Sequence, residues 1–496
     1  MKHSLRSKRL LFGIILLTGA SCGTAAIQAT HEKAQPTVRL TACRFPRYSR
    51  DVLCGNYEVY EDRAAQSGRR IILNIVVLPA SSSAPAPDPV FFLHGGPGLG
   101  AAVSASRAGD SYWQELRRDR DLVFVDQRGT GKSRSLQCSF IGDRSRVQSY
   151  FDDIFSIDQI RACRDELQKS ADLKLYTTPI AMGDLDEVRQ AMGYDKINVY
   201  GISYGTQAAL EYLRQHAEHV RSVVLTGVAT PAAKQPLQFT PGAQRAMDKL
   251  IEDCTGDEAC RAAFPNLSAE FAGVLAAFNE GPIRFELDHP ASKERQPVQM
   301  SRGVFVEALR LMLYNWDSSR RVPLLIYHAA RGNWVPFGRA ALPVMGRADY
   351  AVSGMYLTVT CSETVAVITE KDIARETSNT FMRDYRTRRH QRACEEWPRG
   401  AVPAEYYQPV KSDVPVLMVS GEFDPATLPQ FGRAAAESLP NSRQVVVPNI
   451  AHNYDSDCIR KITAEFIVKG SATELDIGCI EGLRPPEFAK ELPAQF

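Results

Sequence analysis

The sequence predicts an α/β protein built on a doubly wound, mostly parallel sheet, with a large helical segment inserted before its last strands. Short continuous apolar runs carry the first part of this reading: VFFLHGG from Val90, LVFVDQRG from Leu122, KINVYG from Lys196 and RSVVLTGV from Arg221. Each ends in glycine or a polar turn, the pattern of strands buried on both faces. Helical spacing lies between them at residues 183–192 and 206–215, the alternation that a parallel sheet with crossover helices requires. After about Thr230 the alternation stops, and it returns only with VPVLMVSGEFDP from Val414 and SRQVVVPNIAH from Ser442.

The remaining elements follow in order. NYEVYEDR and GRRIILNIVVLPA read as antiparallel strands or a hairpin ahead of the parallel sheet, and SSSAPAPDP (residues 81–89) breaks the pattern after them. In the insertion, GAQRAMDKLIEDC and RGVFVEALRLMLYNW place apolar residues three and four apart, which is helical. IRKITAEFIVKG reads as a closing helix that stops at Gly470. The expected division is a leader over residues 1–29, the first part of an α/β core over 30–230, a helical cap over 231–412 and the last part of the core over 413–496.

Composition narrows the function classes. The chain of 496 residues is 44% hydrophobic and 23% charged, ordinary for a globular protein, and 59 basic against 57 acidic side chains leave a net charge of +2. Such a balance lacks the electrostatic footprint of a nucleic-acid binder or a polybasic membrane contact and suits a small substrate. At the N-terminus, Lys2, Arg6, Lys8 and Arg9 precede an apolar run from Leu10 to Leu17 and then small residues, the layout of a secretory leader. Export to the periplasm or medium is expected, without stable membrane insertion after cleavage. Lipidation at Cys22 is disfavoured because Gly19 stands where a lipobox carries leucine. Without Cys22 ten cysteines remain, in five successive local pairs, and an oxidising compartment would join them as Cys43–Cys54, Cys138–Cys163, Cys254–Cys260, Cys361–Cys394 and Cys458–Cys479. No cysteine or histidine quartet has finger-like spacing, so no metal is expected.

Several glycine motifs compete. GTGKS (residues 129–133) ends like a phosphate-binding loop, but Asp126 stands where that loop begins with glycine. GPGLGA (residues 96–101) formally fits a dinucleotide fingerprint, yet Pro97 lacks a donor and His94-Gly95 precedes it. Neither calls for a cofactor. GISYG (residues 201–205) has a strand before it and a helix after it, which is the setting of a nucleophile elbow with Ser203 at its tip. Glycines at 201 and 205 let the strand and helix pass closely. The oxyanion donors expected of such a site are the backbone N–H of Tyr204 and one from the glycine loop, Gly95 or Gly96. A serine nucleophile needs a base and an orienting carboxylate. His452 and Asp424 each follow a strand in the order Ser, Asp, His; Glu422, Asp455 and Asp457 are the rival acids, and Asp424 is preferred because it lies farther along the loop, with Pro425 holding the turn.

HGGPG (residues 94–98), DQRGTGKS (126–133), GISYGTQAALEYL (201–213) and GEFDPATLP (421–429) together resemble the α/β-hydrolases of the proline iminopeptidase and tripeptidyl aminopeptidase family, most of all its tripeptidyl aminopeptidase-like branch. The resemblance covers most of the chain from Cys43 to Cys479 and is weakest in the insertion, VTCSETV apart. It implies the α/β-hydrolase fold and a serine exopeptidase that releases single residues or short units from free peptide N-termini. It also implies Glu363 as a partner for the substrate ammonium. Asp126 and Arg128 read as braces for the loops. An esterase or lactonase on the same scaffold remains the alternative, because fold and triad set the acyl-transfer chemistry and not the acyl group.

Overall fold

A computed structural model describes residues 37–44, 52–351 and 353–492, without the side chains of residues 107–112 and 348–351. The expected leader and Cys22 lie outside the described residues. Among the described residues nine strands form one sheet in the order β1-β2-β3-β5-β4-β6-β7-β10-β11. They are β1 (Thr41–Cys43), β2 (Val52–Asp62), β3 (Ser67–Leu78), β4 (Val90–Leu93), β5 (Leu122–Val125), β6 (Ile197–Ile202), β7 (Val220–Thr226), β10 (Val416–Gly421) and β11 (Ser442–Val447). The first three run antiparallel to their neighbours, β3 against β5 included, and from β5 to β11 every pairing is parallel.

The parallel strands are buried on both faces, which is why they read as unbroken apolar runs. Successive side chains of a strand point to opposite faces. Phe91, Val123, Val199, Val223 and Met418 enter one core, while Phe92, Phe124, Tyr200, Val224 and Leu417 enter the other. Helices Thr178–Ala191 and Tyr204–Gln215 cover the first face. Helix Asp457–Lys469 covers the second and ends at Gly470, whose φ of 63° suits glycine.

Strand β4 lies between β5 and β6, so the chain leaves β4 toward one side and returns on the other. At such a reversal the loops after neighbouring strands part and leave a crevice at their C-terminal ends. The loop after β4 and the turn after β6 flank this crevice, and β10 and β11 end on the same side.

Strands β7 and β10 are adjacent, and the chain between them is mostly helical. It also holds a two-stranded antiparallel hairpin, β8 (Ile283–Asp288) with β9 (Arg295–Met300). The helical reading of the insertion passed over this hairpin, although Ile283, Phe285 and Leu287 alternate strictly with Arg284, Glu286 and Asp288 in β8; only Leu287, Val298 and Met300 of its side chains are buried. The segment has its own core around Met247, Phe305, Leu309 and Phe337. The ten cysteines are joined in the five nearest-neighbour pairs Cys43–Cys54, Cys138–Cys163, Cys254–Cys260, Cys361–Cys394 and Cys458–Cys479.

Candidate active site

Strand β6 turns directly into helix Tyr204–Gln215 through Ser203, whose φ of 56° and ψ of −124° lie in a region that side chains rarely occupy. Such a backbone costs roughly 1–3 kcal/mol and persists only where its surroundings impose it. Here the neighbours impose it by proximity. A Cβ on Gly201 would stand 2.4 Å from the Gly205 carbonyl oxygen, and one on Gly205 would stand 2.1 Å from that of Leu93. The elbow therefore rests against the end of β4, and the glycine loop follows at once. Buried Ala208, Ala209, Leu210, Tyr212 and Leu213 fix the helix to the sheet.

Ser203 Oγ lies 3.1 Å from His452 Nε2, and His452 Nδ1 donates to Asp424 Oδ2 at 2.6 Å. Asp424 is fully buried. Burial pushes its carboxyl up, but the charge and hydrogen bond of His452, with bonds from Thr427 and Tyr454, outweigh burial and leave it below the usual carboxylate range. Its Oδ1 accepts the N–H groups of Ala426 and Thr427 at 2.7 and 2.8 Å. Its Oδ2 also accepts the hydroxyls of Thr427 at 2.5 Å and Tyr454 at 2.6 Å. The imidazole is held on its other flank by Tyr314, whose carbonyl accepts the His452 backbone N–H at 3.1 Å and whose ring centroid lies 5.0 Å from the imidazole.

The rival acids are occupied elsewhere. Glu422 accepts the N–H of Asn449 at 3.0 Å, and Asp455 and Asp457 both pair with Arg460.

In the glycine loop, Gly95 packs on the elbow, and a Cβ there would stand 3.0 Å from Ser203 Cβ. Its N–H donates to His94 Nδ1 at 2.6 Å. Gly96 and Gly98 have φ values of 118° and 112°, which glycine alone adopts readily. Tyr204 is the first residue of its helix, so its N–H has no partner within that helix. Of the three expected oxyanion donors, the amide of Gly95 is engaged by His94, which leaves those of Gly96 and Tyr204.

Glu363 sits in a different setting from the one expected. It is fully buried, and its carboxylate accepts the Thr178 N–H at 2.6 Å, the Thr178 hydroxyl at 2.8 Å, the Gln207 amide at 3.2 Å and the Tyr406 hydroxyl. The Thr178 hydroxyl is in turn 2.6 Å from the hydroxyl of Tyr204. With its lone pairs taken by the protein and its surface closed to solvent, this carboxylate braces the elbow helix from behind and does not present itself to a substrate ammonium.

Asp126 and Arg128 are braces, each with its own partners. Asp126 accepts the N–H groups of Ala102 and Lys132 and the Asn74 amide at 2.9–3.0 Å, tying the glycine loop's helix to the turn after β5. Arg128 is fully buried and donates to both oxygens of Asp184 at 2.6 and 2.8 Å.

Among the described residues two groups bring metal-ligating atoms together, Cys361 with His390 and Cys394, and Asp186 with His216 and His219. The two cysteines of the first form a disulfide. In the second, Asp186 accepts Arg189 at 2.7 Å and Tyr212 at 2.9 Å. Neither includes a residue of the Ser203–His452–Asp424 line.

Thr427, Tyr454 and Tyr314 were not foreseen. The first two stand three residues after Asp424 and two after His452, where a hydroxyl next to a candidate acid or base is the one available signal; Tyr314 comes from the insertion, and nothing local marks it.

The model of the α/β hydrolase fold matches residues 88–336, and that of the TAP-like protein family matches residues 379–479. Serine protease Hip1 of Mycobacterium tuberculosis is 26% identical over 260 residues, which cover 48% of this chain and 49% of that protein. Tripeptidyl aminopeptidase of Streptomyces lividans is 27% identical over 195 residues, covering 36% of each. The chain thus spans half the length, or less, of these curated relatives. The crystal structure of proline iminopeptidase from Mycobacterium smegmatis is 15% identical and covers 84% of this chain and 98% of that one, at a TM-score of 0.39. With half of its length matched by the fold model, from Asp88 ahead of β4 through the elbow and into the insertion, the chain belongs to the α/β-hydrolase fold family.

Proposed function

We propose that the protein is an exported serine aminopeptidase that releases single residues or short peptides from free peptide N-termini. The observation that carries the serine-hydrolase chemistry of this reading is the hydrogen-bonded line from Ser203 through His452 to a buried, charged Asp424. In the proposed reaction His452 Nε2 removes the proton from Ser203 Oγ as the oxygen attacks the scissile carbonyl carbon. Asp424 holds the imidazole by Nδ1 and stabilises the cation that forms. The negative oxygen of the tetrahedral intermediate is held by the N–H groups of Gly96 and Tyr204, at the positive end of the elbow helix. Collapse expels the leaving amine with the proton from His452 and leaves an ester on Ser203. Water, activated by the same histidine, then frees the serine. The segment 231–412 is the proposed cap over this site.

Support for peptide rather than other acyl substrates comes from the relatives named as peptidases. Export is supported by five disulfides and by the basic and apolar N-terminus. Purified protein should hydrolyse peptidyl-naphthylamides with free N-termini and lose that activity when the N-terminus is acetylated. Equal rates on both would contradict the aminopeptidase, and turnover of p-nitrophenyl esters alone would replace it with the esterase or lactonase.

A further inference from the structure

The leaving peptide in the proposed reaction must lie on the His452 side of Ser203, because His452 delivers the proton to its amine. That side is walled by Tyr314, through the backbone bond at 3.1 Å and the ring contact at 5.0 Å. Tyr314 also lines a solvent-open cleft of about 620 Å³ in the inserted segment. This volume falls within the roughly 300–1,000 Å³ of sites that hold small ligands.

The chemistry of the cleft is cationic. Arg321, Arg339 and Arg347 line it against a single acid, Asp317. Arg339 is neutralised by Asp288 at 2.7 Å. Arg321 and Arg347 are both exposed, and neither has an ion-pair partner among the described residues. Leu325 and Val344 supply apolar wall of the same cleft. Two guanidinium groups without an ion-pair partner among the described residues, in a cleft that also has apolar wall, suit a carboxylate, which arginine binds in a fork of two N–H donors.

We infer that this cleft receives the leaving part of the substrate and that Arg321 and Arg347 bind its C-terminal carboxylate, so that the preferred substrates are short peptides with a free C-terminus. The inference rests on the aminopeptidase reading. It adds a length selection that the triad alone does not contain: a long or C-terminally blocked chain cannot place a carboxylate at the arginines.

The test compares tetra-alanine as the free acid and as the C-terminal amide, with kcat/KM followed by mass spectrometry, for the wild-type protein and for the Arg321→Gln, Arg347→Gln double variant. The wild type should prefer the free acid tenfold or more through KM, the size of one charge-assisted hydrogen bond. In the double variant the acid-to-amide ratio should fall to within about twofold of one. Because the ratio is internal to each protein, a loss of folded fraction does not imitate this result. A wild-type ratio near one, or a double variant that keeps the wild-type ratio, overturns the inference. Failure of the wild type on tetra-alanine in both forms as well as on a free N-terminal naphthylamide removes the aminopeptidase reading itself.

Discussion

Glu363 makes a sharp prediction because its carboxyl is buried among hydrogen-bond donors from Thr178, Gln207 and Tyr406, none of them a member of the Ser203–His452–Asp424 line. Burial pushes it up from 4.5 to about 7, against the downward pull of its bonds from Thr178, Tyr406 and Gln207. Between pH 4.5 and 7 the folded protein therefore keeps a proton that the unfolded chain has released, and stability falls as pH rises across that window. The contribution is fully present below pH 4.5 and gone above pH 7. At about 1.4 kcal/mol per pH unit the shift amounts to about 3 kcal/mol in total. Glu363→Gln keeps the side-chain volume and removes the titration. Urea unfolding, followed by tryptophan fluorescence with the disulfides intact, gives the stability of both proteins from pH 4.5 to 7.5. All other titrations are common to the pair, so the difference between the two curves isolates this carboxyl. The wild type should lose about 3 kcal/mol relative to the variant from the acid to the neutral end. A difference that does not change with pH would refute the reasoning.

Three further substitutions probe other parts of the structure. Asp424→Asn takes away the charge that orients His452 and allows the wrong imidazole tautomer, so kcat should drop by roughly 10⁴-fold with an unchanged far-ultraviolet dichroism spectrum; a drop of less than tenfold would exclude Asp424 as the orienting acid. Gly205→Ala drives a methyl into the Leu93 carbonyl at 2.1 Å, so thermal stability and turnover should fall together, and a fully active, equally stable variant would show that the elbow can move off β4. Glu307 is buried between Arg310 and Arg386, with bonds of 2.6 Å and 3.2 Å. Glu307→Gln leaves both cations short of a counter-charge and should cost about 3–5 kcal/mol in chemical denaturation.

What could be read from the sequence depended on whether the signal was contiguous. The elbow is written within five residues, with its strand before and helix after, and the two glycines are needed because a Cβ at Gly201 or Gly205 would stand 2.4 or 2.1 Å from a backbone carbonyl oxygen. Asp424 and His452 could be picked out because each stands just after an apolar run, in an order that matches the elbow. The parallel strands were legible because burial on both faces leaves no polar alternation. Glu363 was misjudged because a glutamate in a helix carries no local mark of what surrounds it; its donors come from Thr178, Gln207 and Tyr406, far apart in the chain. Arg128 likewise finds Asp184 across 56 residues. The β8–β9 hairpin was legible in the strict alternation of IRFELD and was passed over because the stretches around it have helical spacing, whereas the cleft at Tyr314 depends on packing between helices that no single stretch encodes.

The most direct measurement for the proposed chemistry is labelling with a fluorophosphonate, followed by peptide mapping. Covalent modification is expected at Ser203, and it should disappear in Ser203→Ala together with turnover. A label on another residue, or retained turnover in Ser203→Ala, would contradict the assignment of Ser203 as the nucleophile.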